Sequence, residues 1–186
     1  KILIPKNGVI KKLTTYVPRQ QADELRKKLF EAGAGAIGNY DECSFNILGT
    51  GSFKPNLDSN PTIGEKGEIH FEEELQIGVI FPKHLESKIL KALFKNHPYE
   101  EVAYEIITLD NSHQQMGMGM IGELPEAIEE VEFLSLVKKT FKADGIRHSK
   151  LLEKKVKKIA VLGGSGSSAI DAAKSAAVDF FITADL

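Results

Sequence analysis

Residues Ile159 to Leu186 read IAVLGGSGSSAIDAAKSAAVDFFITADL. An apolar β-branched run (Ile159, Val161) meets a Gly163-Gly164-Ser165-Gly166 turn. An alanine-rich helical pattern follows, and a second apolar run closes the unit at Phe180-Phe181-Ile182-Thr183. Strand, glycine turn, helix, strand is the grammar of a parallel crossover, because parallel strands cannot be joined by a tight hairpin. The stretch therefore predicts a local α/β sheet whose functional edge lies at the strand C-termini. Two features fall on that edge, the turn at Gly163 and the carboxylate of Asp185.

Composition sets the frame around this unit. With 186 residues and 42% hydrophobic content, the chain can bury one large core or two small ones. Its net charge of -2, with Lys and Arg spread along the chain, gives no electrostatic case for nucleic acid or an anionic membrane. The longest basic run, Lys154 to Lys158, is broken by Val156 and reads as a basic edge before a buried strand. No apolar run reaches the roughly 20 residues of a spanning helix, and no signal-peptide pattern opens the chain. A single cysteine, Cys43, excludes an internal disulfide and reads as a small buried thiol in a reducing compartment, so the expected location is cytoplasmic. The chain opens on Lys1 and closes on what reads as an internal strand, so both ends are expected to continue.

Upstream, the periodicity is of another kind. Residues 1–12 carry turn signals at Pro5 and Asn7-Gly8 and read as a connecting segment. Leu13, Thr15 and Val17 alternate as a strand closed by Pro18, and Ala22, Leu25, Leu29 and Ala32 share one helical face within Gln20 to Ala32. Cys43 to Phe53 reads as a strand interrupted by Gly49 and Gly51, and Lys54 to Gly67 as a polar, proline-bearing loop. Phe71, Leu75, Ile77 and Val79 form the next period-two face. Pro82 opens a helix striped by Leu85, Ile89, Ala92 and Leu93, which His97-Pro98 closes, and Val102, Tyr104 and Ile106 mark a last strand. The order βαββαβ predicts a ferredoxin-like arrangement, an antiparallel sheet covered on one face by two helices. The expected fold is thus an α+β ferredoxin-like domain over 13–110, a linker over 111–116, and part of an α/β domain over 117–186. The latter includes a helix from about Ile128 to Phe141 with Phe133, Leu134, Val137 and Phe141 on one face.

Several segments carry side chains capable of chemistry. Gly117-Met118-Gly119-Met120-Ile121-Gly122 matches G-x-G-x-x-G by letter, but Glu123-Leu124-Pro125 follows where the dinucleotide fingerprint needs a helix. Its glycines are expected to permit close backbone packing or a bulge. Gly163 to Ser168 does open a helix. It is read either as a tight βα turn whose serine caps that helix or as an anion or phosphate site using free N–H groups and the hydroxyls of Ser165, Ser167 or Ser168. It lacks the Lys-Ser/Thr ending of a P-loop. Asp185 fits a metal ligand, a base or an N-cap. His97-Pro98-Tyr99-Glu100-Glu101 gathers an imidazole, a phenol and two carboxylates. On extended chain only one of Glu100 and Glu101 can face the side of Tyr99 or His97. His97 reads either as a metal or site residue or as a cationic C-terminal helix cap. No His-x-x-x-His, Cys-x-x-Cys or dense acidic cluster is present, so no self-contained zinc or calcium site is expected.

Taken together, Gly33 to Phe45 (GAGAIGNYDECSF), Asn60-Pro61-Thr62-Ile63-Gly64, His97 to Tyr104 (HPYEEVAY), Gly119 to Leu124 (GMIGEL), Val161 to Gly166 and Thr183-Ala184-Asp185 resemble the NIF-three-like proteins. These are also called GTP cyclohydrolase I type 2 homologues or dinuclear metal-centre hexameric proteins. The resemblance covers almost the whole chain. It implies that Leu13 to Asn111 is similar to the PII/CutA-like insert domain of some members, and that residues after Met116 return into the family's α/β metal domain. It further implies two divalent metal ions in the intact protein, held by a His-His pair, an Asp, a His and a Glu in motifs that this chain lacks. His97-Pro98 is preceded by Asn96 and is not the family's His-His-Pro, and Thr183-Ala184-Asp185 stands where Thr-Gly-Asp is usual. Asp185 is accordingly expected near the metal cleft, no metal ligand is assigned, and no tight metal is expected on this chain alone.

What the resemblance implies for function is a central piece of a metal-dependent hydrolase acting through metal-activated water. The insert would then be a regulatory or assembly module. The alternative is a non-catalytic PII/CutA-like unit for small-ligand binding or oligomerisation, and a third reading is a nucleotide-binding enzyme built on Gly163 to Gly166. Expected partners are further copies of the chain, as a homo-oligomer or hexamer, and a small-molecule or nucleotide ligand. The expected cleft residues are Gly163, Gly164, Ser165 and Asp185, and the insert-domain candidates are His97, Tyr99, Glu100 and Glu101.

Overall fold

The structure, a computed structural model, describes residues 1–113 and 115–185. Gln114, within the expected linker, and Leu186, the end of the opening stretch, lie outside the described residues. The chain divides into two compact units, Asn7–Ser112 and a second made of Lys1–Lys6 with His113–Leu186.

In the first unit the strands are β2 (Ile10–Pro18), β3 (Phe45–Phe53), β4 (His70–Pro82) and β5 (Tyr104–Leu109); the helices are α1 (Ala22–Glu31) and α2 (Glu86–Asn96). The sheet order is β3-β4-β2-β5 and every pairing is antiparallel. Register explains the core. Leu13 and Val17 of β2 and Ile77, Val79 and Phe81 of β4 point to one face, where they meet Ala22, Leu25 and Leu29 of α1 and Ile89 and Leu93 of α2. Each fully buried Leu or Ile contributes about 1.5–3 kcal/mol, which makes this cluster the dominant stabilising feature of the unit. The predicted helical stripes are the buried ones. Phe71, placed by alternation on the same face, lies at the sheet's end and is 67% exposed. Cys43 is half-buried rather than buried, because it sits in the loop before β3.

The second unit holds β1 (Ile2–Pro5), β6 (Gly117–Glu129), α3 (Glu130–Phe141), β7 (Lys155–Ser165), α4 (Ile170–Ser175) and β8 (Phe180–Asp185), in the sheet order β1-β6-β7-β8. The β7–β8 pairing is parallel, as the crossover predicts. Residues 1–12 are not a connection. Ile2–Pro5 pairs antiparallel with Gly117–Met120, and Ile10 already belongs to β2. A four-residue strand gives too short a period to read locally, and its partner is distant in sequence.

The glycine and methionine stretch is the interior strand β6, paired on both sides, which excludes a dinucleotide turn. A Cβ at Gly117 would lie 2.2 Å from the Ile4 carbonyl oxygen, so close approach of β1 requires the glycine. β6 continues past Ile128, so α3 starts at Glu130. Its pairing with β7 is interrupted between Glu123 and Ile128, around Pro125, which has no N–H to donate. Phe133 of α3 is buried, whereas Phe141 at its end is 58% exposed. The basic run Lys154 to Lys158 lies largely within β7 itself, with Val156 as its buried member. No helix among the described residues is long and apolar enough to cross a membrane.

Candidate functional site

Helix α2 stops at Asn96 because Pro98 disfavours helical geometry at the residue before it, and His97 accordingly turns extended (φ -76°, ψ 136°). Its ring is buried between two backbone groups. Nε2 donates to the Tyr16 carbonyl at 2.9 Å, and Nδ1 accepts the Tyr99 N–H at 3.1 Å. That pattern assigns the neutral tautomer protonated at Nε2, and burial holds the imidazole below its ordinary pKa. His97 is therefore a neutral brace between β2 and the 97–101 segment. It does not act as a cationic helix cap.

The brace aims Tyr99. The phenol donates to Glu74 Oε1 at 2.8 Å, and burial, reinforced by that bond, pushes its pKa up, so it remains a donor. Glu74, on the face of β4 away from the helices, is itself buried. Its carboxylate lies over β3, where a Cβ at Gly51 would be 2.1 Å from Oε2. Gly51 thus leaves room for the Glu74 carboxylate, and Gly49, directly opposite Glu74 in the register, leaves a second bare patch of backbone.

The loop between β3 and β4 closes over this floor. Thr62 Oγ1 donates to the Pro98 carbonyl at 2.9 Å, and the Asn60 N–H donates to Glu100 Oε2 at 2.9 Å. A cavity of about 580 Å³ results. Tyr16, Phe53, Ile63 and Tyr99 are among its apolar walls, and Glu74, Glu100, Glu101 and Lys54 also line it. Both Glu100 and Glu101 therefore reach the side of Tyr99. Residues 98–101 form a bend rather than extended chain, so strand alternation does not govern them. Three of the four insert-domain candidates line the cavity, and the fourth, His97, supports it from behind. Sequence reasoning missed Glu74, Tyr16 and Gly51. Glu74 occupies an alternate position of an amphipathic strand, where a solvated carboxylate is the rule, and the available signal was the glycine pair of β3, Gly49 opposite it in the register and Gly51 two residues on.

The second unit places the other candidates together at the end of its parallel pair, where Ser165 registers with Asp185. The Gly166 N–H donates to the Asp185 carbonyl at 2.7 Å, and Thr183 Oγ1 donates to the Gly164 and Asp185 carbonyls at 2.7 and 3.1 Å. Gly164 takes φ +82°, a conformation that favours glycine, and a Cβ at Gly166 would sit 2.5 Å from Thr183 Oγ1. The tight βα turn is as expected, but no serine caps it. The residues preceding the 3₁₀ turn and α4 are Gly166 and Ala169, which carry no hydroxyl. Gly163, Gly164, Ser165 and the Asp185 side chain are exposed. Among the described residues, no group of three or more His, Cys, Asp or Glu side chains could hold a metal ion.

The sequence profile of the Duf34/NIF3 (NGG1p interacting factor 3) family matches residues 8–186. The chain is 40% identical over 177 residues to the GTP cyclohydrolase 1 type 2 homolog of Bacillus subtilis, covering 95% of this chain and 48% of that protein. It also matches the crystal structure of the Bacillus cereus protein related to NIF3, with a TM-score of 0.82 and 40% identity over 100% of this chain and 49% of the other. The chain thus spans about half the length of the relatives it matches. A partial likeness to CutA1 from Ehrlichia chaffeensis covers 57% of this chain and 86% of that chain at 20% identity and a TM-score of 0.41.

Proposed function

Because this chain belongs to the Duf34/NIF3 family, we propose that it serves, within a longer cytoplasmic polypeptide, as the small-ligand-binding and regulatory portion of a divalent-metal-dependent hydrolase. The names of its relatives point to nucleotide-ring hydrolysis as the activity of the whole. The residues present here act by positioning and regulation, with the metal donors supplied from outside them. The observation that carries the reading is the cavity of residues 7–112. It is a cleft partly covered by its own loop, mostly apolar, with a few convergent polar groups set on the sheet, which is the general form of a small-molecule site. The strand order and antiparallel pairing also favour classing this unit as ferredoxin-like. On the second unit, Asp185 and the Gly163 to Gly166 turn share one strand edge, the position at which an α/β sheet contributes a wall to a cleft.

Metal analysis of the purified 186-residue chain after dialysis tests the division of labour. Substoichiometric metal is expected, and two tightly held ions per chain would overturn it. Thermal shift against cationic, neutral and anionic small molecules tests the ligand-binding role. No stabilisation by any of them would remove that role.

A second reading, assembly, is favoured by the sheet face away from α1 and α2, on which Phe45, Ile47 and Ile107 are 74%, 50% and 54% exposed. Light scattering is expected to find a homo-oligomer that Phe45→Lys dissociates; a strict monomer at high concentration would argue against it.

A further inference from the structure

Among the described residues two carboxylates, Glu74 and Glu130, are strongly buried, and they are satisfied to very different degrees. Glu130 is 8% exposed and accepts the N–H groups of Leu152 and Glu153 on both its oxygens. Glu74 is 9% exposed and has the Tyr99 phenol on Oε1, with no hydrogen bond to Oε2 and no ion pair among the described residues. Oε2 is not among the buried unpartnered atoms of the described residues, so the carboxylate's second oxygen opens to the cavity, where a cation would pair with its charge. Glu74 also faces a cavity large enough to admit one.

We propose that this cavity binds a small organic cation, a primary ammonium or guanidinium on an apolar or aromatic body, with the Glu74 carboxylate as its counter-charge. The inference rests on the small-ligand reading of residues 7–112 and names the ligand class. Gly49 and Gly51 leave bare backbone beside the carboxylate, so a ligand can reach it from the β3 side. Tyr16, Phe53 and Tyr99 bring aromatic rings to the same space, suited both to an apolar body and to a cation over a ring face. Glu100 and Glu101, against the single ammonium of Lys54, make the lining net negative. An anion such as a nucleotide phosphate would meet repulsion there. Glu74 belongs to no three-donor grouping of the kind a metal ion requires among the described residues.

The test is a charge series on the 186-residue chain by calorimetry and thermal shift. The probes are phenethylamine and agmatine, the neutral isostere 2-phenylethanol, the anion 3-phenylpropionate, and GTP. Both amines are expected to bind and to raise the unfolding temperature, while the neutral and anionic probes do not. Glu74→Gln keeps an acceptor for Tyr99 and is expected to weaken the amines by about 30-fold or more. The series on the unaltered chain decides the matter even if that variant does not fold. Binding of GTP or 3-phenylpropionate in preference to the amines would overturn the inference and leave the small-ligand reading standing. Binding of none of the probes would overturn both. Loss of self-association in Glu74→Gln without any amine binding would show that a cationic side chain of a second copy occupies the cavity, and would overturn the small-cation assignment.

Discussion

The cavity of residues 7–112 and the strand edge of residues 159–185 both gather glycines, hydroxyls and carboxylates, yet they treat their acids in opposite ways. Glu74 is withdrawn from water beneath a loop and held by a phenol, whereas the side chain of Asp185 is exposed at the end of β8. The glycines differ too. A Cβ at Gly51 would meet the Glu74 carboxylate at 2.1 Å, while a Cβ at Gly163 would meet nothing within 4 Å. A motif rich in site-like residues is thus not equivalent to a site. What distinguishes the two is whether other parts of the chain close over the motif and limit the access of water to its charge.

The strongest way to break the comparison is through the core under the cavity. Leu29 is fully buried between α1 and the sheet, so Leu29→Ala is expected to cost about 2–5 kcal/mol in urea unfolding. A loss below about 1 kcal/mol would uncouple the cavity from the helix-covered face. Next, Gly51→Val is expected to destabilise by about 1–3 kcal/mol, since the new side chain must displace Glu74. Gly163→Val at the strand edge should stay within about 0.5 kcal/mol of the unaltered chain, and equal losses at the two positions would erase the distinction.

Removing single donors sharpens the contrast. Tyr99→Phe leaves a buried carboxylate without its hydrogen bond and should cost about 1–3 kcal/mol. Thr183→Val, at a partly exposed pair of carbonyls, should cost only about 0.5–1.5 kcal/mol.

The smallest effect concerns pH. Burial depresses the folded pKa of His97, so above the ordinary imidazole value both states are neutral and stability is at its full level. As pH falls below about 6.5 the unfolded chain takes up a proton that folded His97 resists, and stability declines until the folded value is reached. Unfolding midpoints measured from pH 8 to 5 should show this decline, and His97→Gln should reduce its slope.

The legible part of the fold was the part governed by local period. Ala22, Leu25 and Leu29, then Ile89 and Leu93, announce helices by spacing, and each packs where its stripe points. Alternation located β2 and β4, a glycine-interrupted run located β3, and the glycine turn before α4 located the parallel pair β7–β8. β1 was not legible, because four residues carry no reliable period and their partner Gly117–Met120 is far along the chain. In the site, His97, Tyr99, Glu100 and Glu101 were legible as a dense group of chemical side chains. Their division into a neutral brace, an aimed donor and two rim acids was not, since the bend at 98–101 overrides alternation.

By itself, then, the sequence determined the order of elements from β2 onward, the helix-facing core and the family. All of these are encoded in spacing and in short motifs. Tertiary structure alone decided that Glu74 is buried, that Gly51 lies beneath it, and that the loop carrying Asn60 and Thr62 is fastened across 97–101. The reason is physical. Hydrophobic periodicity is a property of neighbouring residues, whereas the environment of a charge depends on which distant segment excludes water from it.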